Sequence, residues 1–239
     1  MKKLLLLACL FAGLQSFNVW KVVKGNGKAQ TEQREASGYT SLSSGGPISV
    51  EITYGSATTI TVEADENILP YIETKVKDGK LIIKVKDMIT IKPSVNVKVH
   101  VSMKTISAIN QSGSGSISGS GDFTNDGKTK FNISGSGSIN LAFAKFNGAS
   151  INMSGSGAIE LKGSIAQNLE VSQSGSGRVN CLQAPCENVI ANLTGSGNIK
   201  VNATKSISGH ISGSGHISYT GDATLVSTKV YGSGRIEKI

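Results

Sequence analysis

Aromatic side chains make up only 5% of this 239-residue chain and charged ones 17%. A nucleic-acid groove combines aromatic stacking with a concentrated basic face. Neither is visible. The formal charge of +8 is spread evenly, with 12 Lys/Arg against 9 Asp/Glu over residues 21–107 and 10 against 7 over residues 108–239. No nucleic-acid partner is therefore expected. Proline occurs four times and histidine and cysteine three times each, too few and too scattered to suggest a metal or cofactor site. No apolar run approaches the roughly 20 residues that a transmembrane helix needs, so no transmembrane span is expected. Glycine, by contrast, reaches 29 residues. It does not fall at every third position, which excludes collagen, and Ile, Val and Leu flank it at fixed offsets, which excludes a flexible linker.

The first residues, MKKLLLLACLFAGLQS, have the form of a secretory signal: two lysines, then an apolar run from Leu4 to Leu14. The protein is expected to be exported, to the periplasm, the outer-membrane surface or the medium. Leu6-Leu7-Ala8-Cys9 also has the form of a lipoprotein box, with Cys9 as lipid anchor. Simple cleavage near Ser16 is the favoured reading, because the apolar stretch before Cys9 is short.

What the chain has in abundance is a repeat. Seven Gly-Ser-Gly tripeptides begin at Gly113, Gly135, Gly155, Gly175, Gly195, Gly213 and Gly232. Four places after the first glycine stand Ile117, Ile139, Ile159, Val179, Ile199, Ile217 and Ile236. Two places before it stand Ile133, Met153, Leu193, Ile211 and Val230, with Gln111 and Gln173 as exceptions. A unit of about 20 residues cannot bury its own apolar face, so successive units must stack. The alternation within each unit is that of strands. The expected fold is all-β: a parallel β-helix, right-handed and pectin-lyase-like because the spacing varies too much for the left-handed 18-residue coil.

Ahead of the repeat the grammar differs. Ile48, Val50 and Ile52, then Ile60 and Val62, Leu81, Ile83 and Val85, and Val95 to Val101 alternate as strands do. Asp78-Gly79 marks a hairpin turn. The stretch Asp65–Ile72 interrupts the alternation and is expected to form a short helical turn ended by Pro70. Gly25-Asn26-Gly27 and the polar residues 28–37 look like a loose leader. The expected division is a signal at 1–16, a leader and first strand at 17–44, a β-rich segment at 45–107 serving as an end cap, and the solenoid at 108–239.

Gly25-Asn26-Gly27, the strand pair Val50–Val62, Ala64-Asp65-Glu66-Asn67 and the Gly-Ser-Gly coils together resemble the putative auto-transporter adhesin, head GIN domain family. That is a bacterial family of unknown function, found mainly in exported proteins of Gram-negative envelopes. The likeness covers roughly residues 24–239. It implies a β-solenoid akin to pectin lyases and adhesin heads, and carries no catalytic set with it. A literal Gly-Ile-Asn is absent; Gly137-Ser138-Ile139-Asn140 comes nearest.

Enzymatic signatures are missing from the repeats. Glu160 and Glu237 share a column but lie four coils apart, whereas paired glycosidase carboxylates stand within about 5–9.5 Å. Asp122 and Asp126 have the spacing of a solvated turn. No Gly-Ser-Gly is followed by the Lys-Ser/Thr of a phosphate loop, and no regular aspartate follows for calcium. His210 and His216 flank one turn without further ligands. Cys181 and Cys186 either join across a bulge, or Cys181 fills the core with Cys186 free. The expected function is a non-enzymatic surface-binding protein or adhesin for a glycan or envelope component. The alternatives are a carbohydrate lyase or hydrolase on the same scaffold and a purely structural envelope protein. The candidate strip is the serine ladder Ser114, Ser136, Ser156, Ser176, Ser196, Ser214 and Ser233, with Arg178, Asn198, His216 and Arg235 beside it. Pure turn geometry is the plainer explanation of those serines. Self-association through the ends or faces of the solenoid is a further expectation.

Overall fold

A computed structural model describes residues 20–239, and the expectations for the signal and for Cys9 lie outside them. The described residues are all-β, with one short 3-10 turn among them at Leu69–Tyr71. The C-terminal part is a β-solenoid of about seven turns, and the N-terminal part a mixed sheet.

The apolar column seen in the sequence is the spine of the solenoid. Ile117, Ile139, Ile159, Val179, Ile199 and Ile217 lie in direct parallel register, each 1% exposed or less. The coil Ser138–Gly155 shows how one turn is built. Ile139, Leu141 and Phe143 point inward at steps of two, as strand geometry requires. The steps to Phe146 and then to Ala149 are three, which marks bends, and Ala149, Ile151 and Met153 resume the alternation. Phe143 and Phe146, on either side of the first bend, stack with ring centroids 4.0 Å apart. Burial of each large apolar side chain stabilises the coil by about 1.5–3 kcal/mol, and one coil alone cannot complete that burial without its neighbours.

The N-terminal strands enter the same stack, out of sequence order. Ser41–Gly45 and Ser49–Tyr54 are sandwiched between the pair Lys80–Val85 and Lys98–Met103 on one side and the pair Ala108–Gly113 and Ser116–Ser120 on the other, all parallel. Gly46-Pro47-Ile48 thereby takes the place of a Gly-Ser-Gly turn. The Gly115 amide donates to the Gly46 carbonyl at 2.9 Å, as the Gly215 amide does to the Gly195 carbonyl at 3.0 Å. The far end is closed by antiparallel strands: Ala29–Glu35 on Thr59–Asp65, and Ile72–Lys77 on Lys80–Val85. Asp78 (φ 51°) and Gly79 (φ 68°) form the expected hairpin turn, both residues in the left-handed region that primed turns require.

Two local expectations are corrected. Pro70 does not end the helical turn but stands at its start, where its missing N–H costs no hydrogen bond. The polar stretch at 28–37 is not a loose leader, since Ala29–Glu35 is an ordered edge strand. Backbone pairing holds it, aided by the Arg34 guanidinium, which donates to the carbonyls of Ile72 (2.6 Å) and Leu69 (3.0 Å). Periodicity cannot reveal a strand that buries neither face.

Gly25-Asn26-Gly27 has a structural role as well. Buried Asp65 accepts the amides of Gly27 (2.7 Å), Ser94 (2.9 Å) and Val95 (3.0 Å), tying three segments together. Asn67 donates to the Lys24 carbonyl and accepts from the Asn26 amide. Cys181 and Cys186 are free thiols, both buried. Cys181 lies in the apolar column beside Val201.

Candidate functional site

Each Gly-Ser-Gly turn is fixed to its neighbour by backbone hydrogen bonds. The amides of Ser136, Ser156, Ser176, Ser196 and Ser214 donate to the first-glycine carbonyl of the preceding turn at 3.0–3.1 Å. A second bond follows two residues on, as from Arg178 to the Gly157 carbonyl at 2.9 Å. This close backbone approach leaves the first glycine at positive φ, from 91° at Gly113 to 130° at Gly213, and leaves no room for a side chain on the second. The glycines therefore belong to the scaffold. The serines between them do not: all seven, from Ser114 to Ser233, are exposed.

The neighbouring predicted residues form one line. Arg178, Asn198, His216 and Arg235 are successive members of a single parallel register; Arg178, His216 and Arg235 are exposed, while Asn198 is half-buried with its Oδ1 buried and unpartnered. Arg235 stands 3.9 Å from Glu237. His210 lies on the other side of its turn, its ring centroid 5.4 Å from that of Tyr231. Three acidic side chains of the coils are matched with lysines: Glu170 with Lys128 (2.7 Å), Glu187 with Lys205 (2.9 Å) and Glu160 with Lys162 (3.1 Å). The registers also place Glu160 and Glu237 four coils apart. Among the described residues, no three His, Cys, Asp or Glu side chains come together as metal ligands would.

Two polar columns, unremarked in the sequence, complete the strip. Three places before each turn, Asn110, Asn132, Asn152, Ser172, Asn192 and His210 follow one another in register. One place before it run Ser112, Ser134, Ser154, Ser174, Thr194 and Ser212. Asn152 donates to Asn132 (3.1 Å) and Asn132 to Asn110 (2.7 Å), so the amides form a chain from coil to coil. A shallow groove of about 390 Å³ lies over these columns, bordered by Ser43, Asn110, Asn132, Asn152 and Ser154. The signal was present at fixed offsets from the glycines, but the outward positions carry no apolar periodicity to draw attention to them.

Known proteins fit this picture. The chain is similar in structure to a putative lipid binding protein from Parabacteroides distasonis (27% identity, TM-score 0.70), covering 92% of this chain and all of that one. A putative adhesin from Bacteroides fragilis is 22% identical with a TM-score of 0.80, over 91% of this chain and all of its own. A putative adhesin from Parabacteroides merdae is 23% identical with a TM-score of 0.66, over 92% of this chain and 99% of its own. No curated protein matches the sequence. The family model described as putative auto-transporter adhesin, head GIN domain, matches residues 38–223, so the chain belongs to that family.

Proposed function

We propose that this protein is a non-enzymatic adhesin of the bacterial envelope, exported and displayed so that the polar strip along its coils holds a glycan. The observation that carries this reading is the continuity of the strip. Asparagine and serine columns, the serine ladder and the line from Arg178 to Arg235 recur coil after coil. A polymer laid along the rod meets the same donors and acceptors at each step of about 4.8 Å. Weak contacts repeated in this way add up, the more so when several copies are displayed together. Glu160 and Glu237, the two carboxylates that share a column, stand four coils apart, which supports binding over glycoside cleavage, for which closely paired carboxylates are required. We also take the coil to be right-handed, as parallel crossover connections are in about 98% of cases.

Glycan-array binding of the purified protein tests the reading. Retention of acidic glycans is expected, reduced several-fold by replacing Arg178 and Arg235 together, and reduced for all bound glycans by Asn132→Ala with Asn152→Ala. Binding unaltered by all four substitutions, or no binding to any glycan on the array, overturns it. Release of new reducing ends from a polysaccharide panel overturns it in favour of a lyase or hydrolase.

A further inference from the structure

The coil made by Leu225–Tyr231 and Arg235–Lys238 packs on one neighbour alone. Leu225–Tyr231 pairs with Asn198–Gly213, and Arg235–Lys238 with His216–Thr220. Among the described residues, no strand lies on the outer side of either. The cost shows in burial. Val226 and Val230 occupy inward columns whose earlier members Val189, Ile207, Leu193 and Ile211 are 1% exposed or less, yet they stand 48% and 40% exposed. Leu225 (71%) and Tyr231 (64%) add apolar surface beside them. An uncovered strand edge with an apolar face is a template for another strand.

The pattern of the strand indicates which strand fits. The sequence Leu225-Val226-Ser227-Thr228-Lys229-Val230-Tyr231 is near-symmetric about Thr228. Laid antiparallel on an identical strand with Thr228 at the centre, Val226 faces Val230 and Leu225 faces Tyr231, each twice. Thr228 faces itself, and Lys229 faces Ser227. Facing side chains in an antiparallel pair lie on the same side of the sheet, so the inward valines of both copies join one interior. A shift that centres Lys229 sets two lysines opposite each other, which is destabilising. A head-to-tail contact is disfavoured, because the edge strands at the other end, Ala29–Glu35 and Ile72–Lys77, carry polar and charged side chains and offer the valines no apolar face to match. One apolar end and one polar end give a closed pair, not a filament.

We propose that a second copy of this chain covers the terminal coil, the two Leu225–Tyr231 strands pairing antiparallel about a two-fold axis at Thr228. The association joins two rods tail to tail into one with a continuous core. It requires no glycan, so its test stands apart from that of the binding reading.

Sedimentation equilibrium of the full chain at micromolar concentrations, run beside a cysteine scan, decides the matter. The expected result is a mass of two chains. Thr228→Cys places two sulfur-bearing residues opposite each other at about 4.5–5.5 Å between Cα atoms, within the range a disulfide spans. It is expected to give a covalent dimer under mild oxidation. Ser233→Cys, in the turn of the same coil, is expected to give none. Val230→Lys is expected to weaken association at least tenfold while the far-ultraviolet spectrum stays unchanged. A single-chain mass throughout, a mass above two chains, or Thr228→Cys left uncrosslinked overturns the proposal. Should Val230→Lys fail to fold, the crosslinking pattern decides alone.

Discussion

A β-carbon placed on Gly157 would stand 2.5 Å from the carbonyl oxygen of Gly137, the glycine one coil below it. No real side chain tolerates that approach, and the obstacle is backbone that two coil-to-coil hydrogen bonds hold in place. Gly157→Ala is therefore expected to destabilise the fold by about 2–3 kcal/mol, within the range of overpacked positions. Ser156→Ala, at the exposed residue beside it, is expected to change stability by less than about 0.5 kcal/mol. Urea unfolding of the two variants separates scaffold from surface. Equal stabilities would show that the turn relaxes freely and that its glycines answer to something other than packing.

Asp65 gives the fold a pH dependence of known sign. Burial by itself raises its carboxyl pKa, but the amides of Val95, Gly27 and Ser94 outweigh that and hold it below the ordinary 3.8. A group whose folded pKa is depressed contributes stability above its unfolded pKa and loses it as pH falls through the folded value. Asp65→Asn keeps the shape and removes the charge. The wild type is expected to be more stable than this variant by about 2–4 kcal/mol at neutral pH, since buried donors lose their acceptor. The difference is expected to shrink as pH falls below about 4. A gap that persists unchanged to pH 2 would show that the charge contributes nothing.

The two thiols are expected to be inert in the folded protein. Burial pushes Cys181 up to about 12 and Cys186 up to about 11, so the reactive thiolate is scarce at pH 8. Iodoacetamide should label neither residue in the native protein and both in urea, with no reductant added. Failure to label in urea would mean that the pair is oxidised to a disulfide.

Gln173 is a polar residue in an apolar column, between Met153 and Leu193 in register. Its Nε2 donates to the Gly177 carbonyl, but its Oε1 is buried without a partner. That carbonyl also receives the Asn198 amide at 3.0 Å, so removing the glutamine does not strand it. Gln173→Leu is expected to stabilise the protein by about 1 kcal/mol. A loss of stability would indicate that Oε1 is satisfied by water in the interior.

The solenoid was legible in the sequence because one physical demand repeats. Ile139, Ile159, Val179 and Ile199 must each cover the next, and the repeated turns take glycine on both sides of the serine, so spacing and composition agree. The N-terminal rung was not legible. Gly46-Pro47-Ile48 occupies the same turn, but proline and isoleucine hide the likeness. The strands that flank it in space are also separated from it by the hairpin residues in sequence. Ala29–Glu35 escaped notice for a different reason: backbone pairing orders it without any apolar face. At the candidate strip, the serines of the turns were found because the glycines mark them. The asparagines at 110, 132 and 152 were not singled out, since outward residues obey no packing rule and their alignment shows only when the coils are stacked.

The out-of-order stacking of the first rung bears on how the chain comes together as it is synthesised. Ser41–Tyr54 emerges early but acquires its two flanking neighbours only after residues 98–103 and 116–120 exist. Each later coil, by contrast, can dock on the one made about 20 residues before. Assembly of the N-terminal end is thus tied to long loop closure, which is slow, while the downstream array zips by short steps. The first rung waits until residue 120 before both its neighbours exist, whereas every later coil finds its predecessor already made.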